Sequence, residues 1–76
     1  MIQFPYTKEK GRLTITGLPK RKVKIIIIDA IGRKVYEDFF WGKPINQLKQ
    51  PLSISGTYAI RISMSKKLLI RRIVII

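Results

Sequence analysis

Few side chains in this sequence could carry out acid, base or metal chemistry. The chain has no cysteine and no histidine, which removes thiol nucleophiles, zinc–thiolate sites and the commonest general base and metal ligand. Four carboxylates remain: Glu9, Asp29, Glu37 and Asp38. Glu37 and Asp38 are adjacent, so a strand would send them to opposite faces and keep them from acting as a pair. We therefore expect no catalytic residue, no metal and no cofactor, and predict that the protein is not an enzyme.

Charge is the dominant chemical signal. Sixteen Lys and Arg against four Asp and Glu give a formal net charge of +12, which attracts polyanions such as nucleic acid, anionic lipopolysaccharide or an acidic protein surface. The clusters that could touch such a partner are Lys20, Arg21, Lys22, Arg71 and Arg72. A solvated turn and an edge strand kept soluble by charge would show the same pattern, so both interpretations stay open.

Residues 34–43 interleave four aromatic side chains with cations. Platforms for single-stranded nucleic acid use this composition, because bases stack on aromatic rings while cations follow the phosphates. In a small β-sandwich, however, aromatic residues usually fill the core. Glu37 and Asp38 also weaken the platform, and we expect them to balance Lys34 and Lys43. A small basic β-barrel that binds single-stranded nucleic acid or another polyanion is therefore the alternative function, not the leading one.

The elements that position these groups read as strands. The isoleucine-rich run after the first basic cluster is β-branched apart from Lys24, which favours a strand with Val23, Ile25 and Ile27 facing the core. The turn that follows has a single glycine and lacks the spacing of a phosphate-binding loop. It predicts a hairpin, in which Asp29 bonds the backbone two residues on and Gly32 takes a positive φ.

Other segments extend this pattern. Residues 12–16 alternate polar and apolar side chains as a half-buried strand does. Residues 33–41 return from the turn with neither face cleanly apolar, so we predict a β-bulge near Glu37 and Asp38. Residues 45–52 predict a loop and an edge segment, because Pro51 blocks a central strand position.

The clearest alternation begins at Gly56. It predicts inward side chains at Tyr58, Ile60, Ile62 and Met64. Residues 66–76 should pair back as a second hairpin and an edge strand, with Arg71 and Arg72 shifting its phase.

Six or seven short strands without a helix predict an all-β fold, a small antiparallel sandwich or barrel. We assign residues 12–76 to this single domain and residues 1–11 to an N-terminal segment or linker remnant.

Two motifs and a basic ending occur in a characteristic order. The first is D-x-x-G-[RK]-x-V, the second is G-x-Y followed by alternating aliphatics, and the ending is a lysine-rich hairpin. Their positions are Asp29, Gly32, Arg33, Val35, Gly56, Tyr58, Lys66 and Lys67. Over roughly residues 12–75 the sequence resembles the C-terminal sorting domain, type A, of proteins exported by the type IX secretion system of Bacteroidota.

The resemblance implies an immunoglobulin-like β-sandwich of about seven short strands that serves as an export signal for an attached cargo. The motif positions would then be the recognition residues. Its partners would be the shuttle proteins and translocon of type IX secretion. In many members a sortase-like peptidase also acts, and the cargo is joined to anionic lipopolysaccharide. The implied location is the periplasm in transit, then the outer membrane, the cell surface or the medium.

Two features depart from the family. No cargo domain precedes the first family-like strand, which begins only about ten residues after Met1, so we expect the cargo to lie outside this sequence. The net charge is also unusually positive, which leaves room for direct contact with an anionic partner. The exposed isoleucines leave open a homodimer formed by edge pairing.

Overall fold

The computed structural model describes residues 2–4, 6–7, 12–49 and 54–75. In chain order these residues form strands β1 (Tyr6–Thr7), β2 (Arg12–Thr16), β3 (Lys22–Ile28), β4 (Lys34–Trp41), β5 (Ile45–Gln47), β6 (Gly56–Met64) and β7 (Lys67–Ile75). No helix able to cross a membrane occurs within these residues. The predicted roles of Glu9 and Pro51 fall outside the described residues.

The strands form two antiparallel sheets. The smaller sheet has the order β1-β2-β5 and the larger one the order β4-β3-β6-β7. The larger sheet consists of two hairpins, β3–β4 and β6–β7, joined by pairing between β3 and β6. Three plus four strands is the number in a constant-type immunoglobulin sandwich. The prediction of an all-β, immunoglobulin-like antiparallel sandwich is confirmed.

Both sheets contribute to one core. Its buried apolar residues are Leu13, Ile15, Leu18, Val23, Ile25, Ile27, Tyr58, Ile60, Ile62, Met64 and Ile75. The inward sets predicted for β3 and β6 are therefore confirmed. Burying one such aliphatic side chain stabilises a fold by roughly 1.5–3 kcal/mol, and a domain this small depends on a dense aliphatic core.

The bulge in the first hairpin lies at the turn. Ile27 pairs with Tyr36 and Ile28 pairs with Lys34, so Val35 is the extra residue. The predicted bulge at residues 37–38 is wrong, because pairing runs without a break from Tyr36 to Trp41. A bulge beside the turn changes which face of the sheet the following residues occupy. The half-buried residues of β4 are therefore Tyr36, Asp38 and Phe40, at every second position.

The predicted phase shift in β7 is also wrong. Pairing with β6 is unbroken from Met64–Lys67 to Gly56–Ile75. Arg71 therefore lies on the inner side of β7, yet it is exposed. No shift is needed, because an edge strand lets a long charged side chain reach solvent beyond the rim of the core.

The N-terminal segment adds to the smaller sheet. Gln3 and Thr16 exchange two backbone hydrogen bonds of 3.0 Å, and β1 pairs with β2. The division of the chain after residue 11 stays a prediction.

Candidate recognition surfaces

The first motif builds the turn between β3 and β4. Asp29 Oδ1 accepts hydrogen bonds from the backbone amides of Ile31 at 3.1 Å and Arg33 at 2.9 Å. Its second oxygen accepts one from Arg33 Nε at 2.9 Å. The Asp29 amide donates to the Arg33 carbonyl, and the Gly32 amide donates to the Asp29 carbonyl. The carboxylate thus holds the reversal together.

The electrostatics and backbone of this turn agree with that role. The hydrogen bond from the Arg33 amide lowers the pKa of Asp29 below its ordinary value. Gly32 has φ of 90°, and no atom lies within 4 Å of where a Cβ would stand. Glycine is required there for its backbone conformation and not for space.

The second motif builds the start of β6 beside this turn. Tyr58 is buried, and its hydroxyl donates to the Ile54 carbonyl at 2.6 Å. A shallow hollow of about 230 Å³ is lined from both motifs, by Asp29, Arg33, Gly56 and Tyr58 among others. We call this region the motif end. Most polar groups of the two motifs are engaged in holding the domain together.

The opposite end of the larger sheet is basic. β3 and β7 begin there, while β4 and β6 end there. The exposed cations at this basic end are Lys20, Arg21, Lys22, Lys43, Lys66 and Lys67. Among the four ion pairs of the described residues, none involves these six. The structure thus brings two predicted clusters together and leaves Arg71 and Arg72 apart from them, along β7.

The carboxylates of β4 form ion pairs within the domain. Glu37 pairs with Lys34 at 3.0 Å and Lys24 at 3.6 Å, and the hydrogen bond from Lys34 lowers the pKa of Glu37. Asp38 pairs with Lys49 at 3.4 Å, so the predicted balance with Lys43 is wrong. The inward direction of Asp38 in the actual register explains the difference.

A half-buried polar cluster surrounds Asp38. The Tyr36 hydroxyl lies 3.3 Å from Asp38 Oδ2 and accepts a hydrogen bond from the Lys49 amide at 3.0 Å. Burial raises the pKa of Tyr36 above its ordinary value. The cluster ties β4 to the segment after β5.

Sequence reasoning missed two residues in and beside the connection from β4 to β5. Asn46 is buried; its amide nitrogen donates to the carbonyls of Ile15 and Lys43, and its side-chain oxygen accepts from the Lys43 amide. A Cβ at Gly42 would collide with the Pro19 carbonyl. The only sequence signal was their position on either side of a proline turn.

Each face of β4 carries part of the aromatic run. Tyr36 and Phe40 face the core and are half-buried, whereas Phe39 and Trp41 face outward and are 58% and 61% exposed. The run is therefore not one continuous stacking platform. Within the described residues, no three potential metal ligands of the His, Cys, Asp and Glu types lie together.

β7 is one edge of the larger sheet, as predicted. The hairpin closes through the two-residue turn Ser65 and Lys66, with Met64 paired to Lys67. In such a hairpin the closing pair exchanges both backbone hydrogen bonds, and the pattern alternates from there. The backbone groups that point away from β6 therefore belong to Leu68, Ile70, Arg72 and Val74.

A comparison with protein-family models matches residues 9–76 to the family described as "Secretion system C-terminal sorting domain". A comparison with curated proteins finds no match. The family match covers nearly the whole sandwich, including both motifs and the last hairpin. Membership implies interaction with the secretion machinery and export to the cell surface or the medium. The chain belongs to the family of type IX secretion-system C-terminal sorting domains.

Proposed function

We propose that this domain is a non-catalytic export signal, gripped by the type IX machinery along the outer edge of β7 and at the adjacent turn with Lys66 and Lys67. One observation carries the proposal: β7 is a nine-residue edge strand with no partner on its outer side in the described part of the chain. An edge of this kind binds an extended partner segment through main-chain hydrogen bonds.

The side chains along this edge support binding of a partner strand. Leu68, Ile70 and Val74 are more than half exposed, so a partner strand would find both backbone groups and apolar side chains. Arg71 Nη1 donates to the Ile70 carbonyl at 3.0 Å, which covers one edge acceptor. A charge at this place also limits unwanted pairing between copies.

In this proposal the domain carries its cargo through the periplasm with shuttle proteins and on to the outer-membrane translocon. A sortase-like peptidase then removes the domain, and the cargo is joined to anionic lipopolysaccharide. The domain itself needs no catalytic group for any of these steps. It contributes a compact fold and a surface that the secretion machinery recognises.

The test is export of a periplasmic reporter fused ahead of residues 1–76 in a bacterium with type IX secretion. Deleting residues 67–76 should trap the reporter, but it also removes the whole of β7. Ile70→Pro is sharper, because it removes one outward N–H and leaves the pairing with β6 intact. Ile70→Ala is the matched control, since it shortens the same side chain and keeps the N–H.

We expect the Ile70→Pro fusion to stay inside the cell and the Ile70→Ala fusion to reach the surface, with circular dichroism showing both purified domains folded. Equal export of the two variants would contradict the edge grip. Export of the fusion that lacks residues 67–76 would contradict the signal function itself.

The basic end supports a second contact, with anionic lipopolysaccharide. Six exposed cations without ion-pair partners in the described residues attract phosphate groups, and salt screens this attraction. Co-sedimentation with lipopolysaccharide should weaken as salt is raised and should weaken further in Lys66→Glu/Lys67→Glu. Salt-independent sedimentation would reject this contact.

A further inference from the structure

The outer face of the larger sheet carries an ordered row of cations. Lys22 and Lys24 face outward from β3, Arg61 from β6 and Arg72 from β7. Ile26 is the partner of Arg61, so Arg61 stands one strand across and one outward position along from Lys24. Ala59 is the partner of Arg72, which makes the step from Arg61 to Arg72 equivalent. These four residues form a cationic diagonal across three strands.

Apolar side chains flank the cationic diagonal on both sides. Phe39 and Trp41 lie on β4 next to Lys24 and Lys22. Leu68 and Ile70 lie on the other side, on β7, and each is 55% exposed. Aromatic and arginine side chains are enriched in protein–protein interfaces, and Phe39, Trp41, Arg61 and Arg72 on this face are of these types.

Three of the four cations of the cationic diagonal have no ion-pair partner among the described residues. Lys22, Arg61 and Arg72 take part in none of the ion pairs of the described residues. Lys24 lies 3.6 Å from Glu37 and 5.3 Å from the centre of the Phe39 ring. Of the strand residues that the structure describes on this face, only Glu37 is acidic. A partner that brings negative charge would therefore complement this face.

The spacing of the cations indicates which partner shapes would fit this face. Successive positions on the diagonal are about 7–8 Å apart, close to the repeat of roughly 6.8 Å between alternate side chains of an extended chain. We propose that the outer face binds an extended segment of a protein partner in which acidic and apolar residues alternate. The segment would lie along the border between the cationic diagonal and one of the flanking patches, so that its acidic side chains point toward the diagonal and its apolar side chains point the opposite way, toward the patch.

The size of the face suits a brief contact. Four strands about 4.8 Å apart and some eight residues long cover roughly 500 Å², less than the ~800 Å² per partner of a standard stable interface. A sorting signal has to be released after export, so a transient interface agrees with the proposed function, on which this inference rests for the partner's place in secretion.

Charge and surface chemistry argue against other occupants. A second copy would set one cationic diagonal against another, and like charges in contact are unfavourable. Nucleic-acid bases stack on aromatic rings, whereas one whole flank here is the aliphatic pair Leu68 and Ile70.

The test uses the purified 76-residue protein and a synthetic ten-residue peptide of alternating Glu and Leu. Trp41, the single tryptophan, lies on the flank and reports binding by a blue shift of its emission. Arg61→Glu/Arg72→Glu removes half of the cationic diagonal. Lys66→Glu/Lys67→Glu changes the net charge by the same amount at the basic end and is the matched control. A peptide of alternating Lys and Leu, oligo(dT) and phosphatidylglycerol vesicles complete the set.

We expect salt-sensitive binding of the Glu–Leu peptide that falls at least about tenfold in Arg61→Glu/Arg72→Glu and less than about threefold in the control. The face variant should also gain affinity for the Lys–Leu peptide. Equal losses in both variants, or tighter binding of oligo(dT) or vesicles than of the peptide, would overturn the inference. Because no secretion is measured, either result is independent of the reporter assay for the proposed function.

Discussion

The motif end and the outer side of β7 use their polar groups in opposite ways. At the motif end, the Asp29 carboxylate accepts three hydrogen bonds and the Tyr58 hydroxyl makes one of 2.6 Å. Along β7, outward backbone groups and exposed aliphatic side chains have few partners among the residues that the structure describes. The residues that make the family recognisable in sequence are thus mostly those that build the fold. The surface available to a partner is carried by less distinctive residues.

The largest expected effect that separates the two regions is on stability. Tyr58→Ala removes a buried ring and its hydrogen bond, and should lower the free energy of unfolding by about 3–5 kcal/mol. Tyr58→Phe, which loses only the hydrogen bond, should cost about 0.5–1.5 kcal/mol. Urea unfolding followed by circular dichroism measures both. A midpoint for Tyr58→Ala equal to that of the wild type would contradict the structural role of the motif.

The turn glycine gives a smaller stability effect. Gly32→Ala should cost about 1–2 kcal/mol, because a Cβ disfavours the left-handed conformation, while the space around the position is empty. Gly32→Asn should cost less, since Asn tolerates positive φ better. Thermal unfolding of the two variants distinguishes a conformational cause from crowding. A greater loss in Gly32→Asn than in Gly32→Ala would point to crowding instead.

The Asp29 carboxylate predicts a pH-dependent effect. Its pKa is lower in the folded domain, so its contribution to stability is present above the unfolded value of about 3.9 and is lost as pH falls through the folded value. Wild type should exceed Asp29→Asn in stability at neutral pH, and the difference should shrink below about pH 4. Urea titrations across this range test the sign; a difference that does not change with pH would disprove the role of the charge.

The smallest stability effect is expected at the basic end. Lys66→Ala/Lys67→Ala should change the free energy of unfolding by no more than about 0.5 kcal/mol, because neither side chain has an ion-pair partner in the described residues. The salt needed to elute the protein from heparin should still fall. Arg71→Ala/Arg72→Ala removes the same charge along β7 and serves as the control. Equal elution of the two double variants would show that net charge alone governs binding to anions.

Local patterns predicted the centre of the sandwich well. The alternation in β3 and β6 identifies their buried residues because these strands are central, and a one-residue slip would expose the whole inward set. The turn at Asp29 and Gly32 was predictable for a similar reason. Its hydrogen bonds are local, and few residues other than glycine accept its backbone conformation.

The edge strands were harder to predict. In β4 the bulge lies at Val35, and in β7 the inward position of Arg71 needs no change of phase. An edge strand exposes residues on both of its faces, so the burial pattern that reveals register in a central strand is weak there. Asn46 was missed because its partner Ile15 lies 31 residues away in the chain. The cationic diagonal depends on the registers of three strands and cannot be read from any single one.

The central claim is that the motif residues build the fold whereas the outer edge of β7 binds the secretion machinery. Its most direct test measures the fraction of reporter displayed at the cell surface by two variants, Tyr58→Phe and Ile70→Pro, at a temperature where both are folded. We expect near wild-type display for Tyr58→Phe and retention inside the cell for Ile70→Pro. Retention of Tyr58→Phe together with normal display of Ile70→Pro would contradict the central claim.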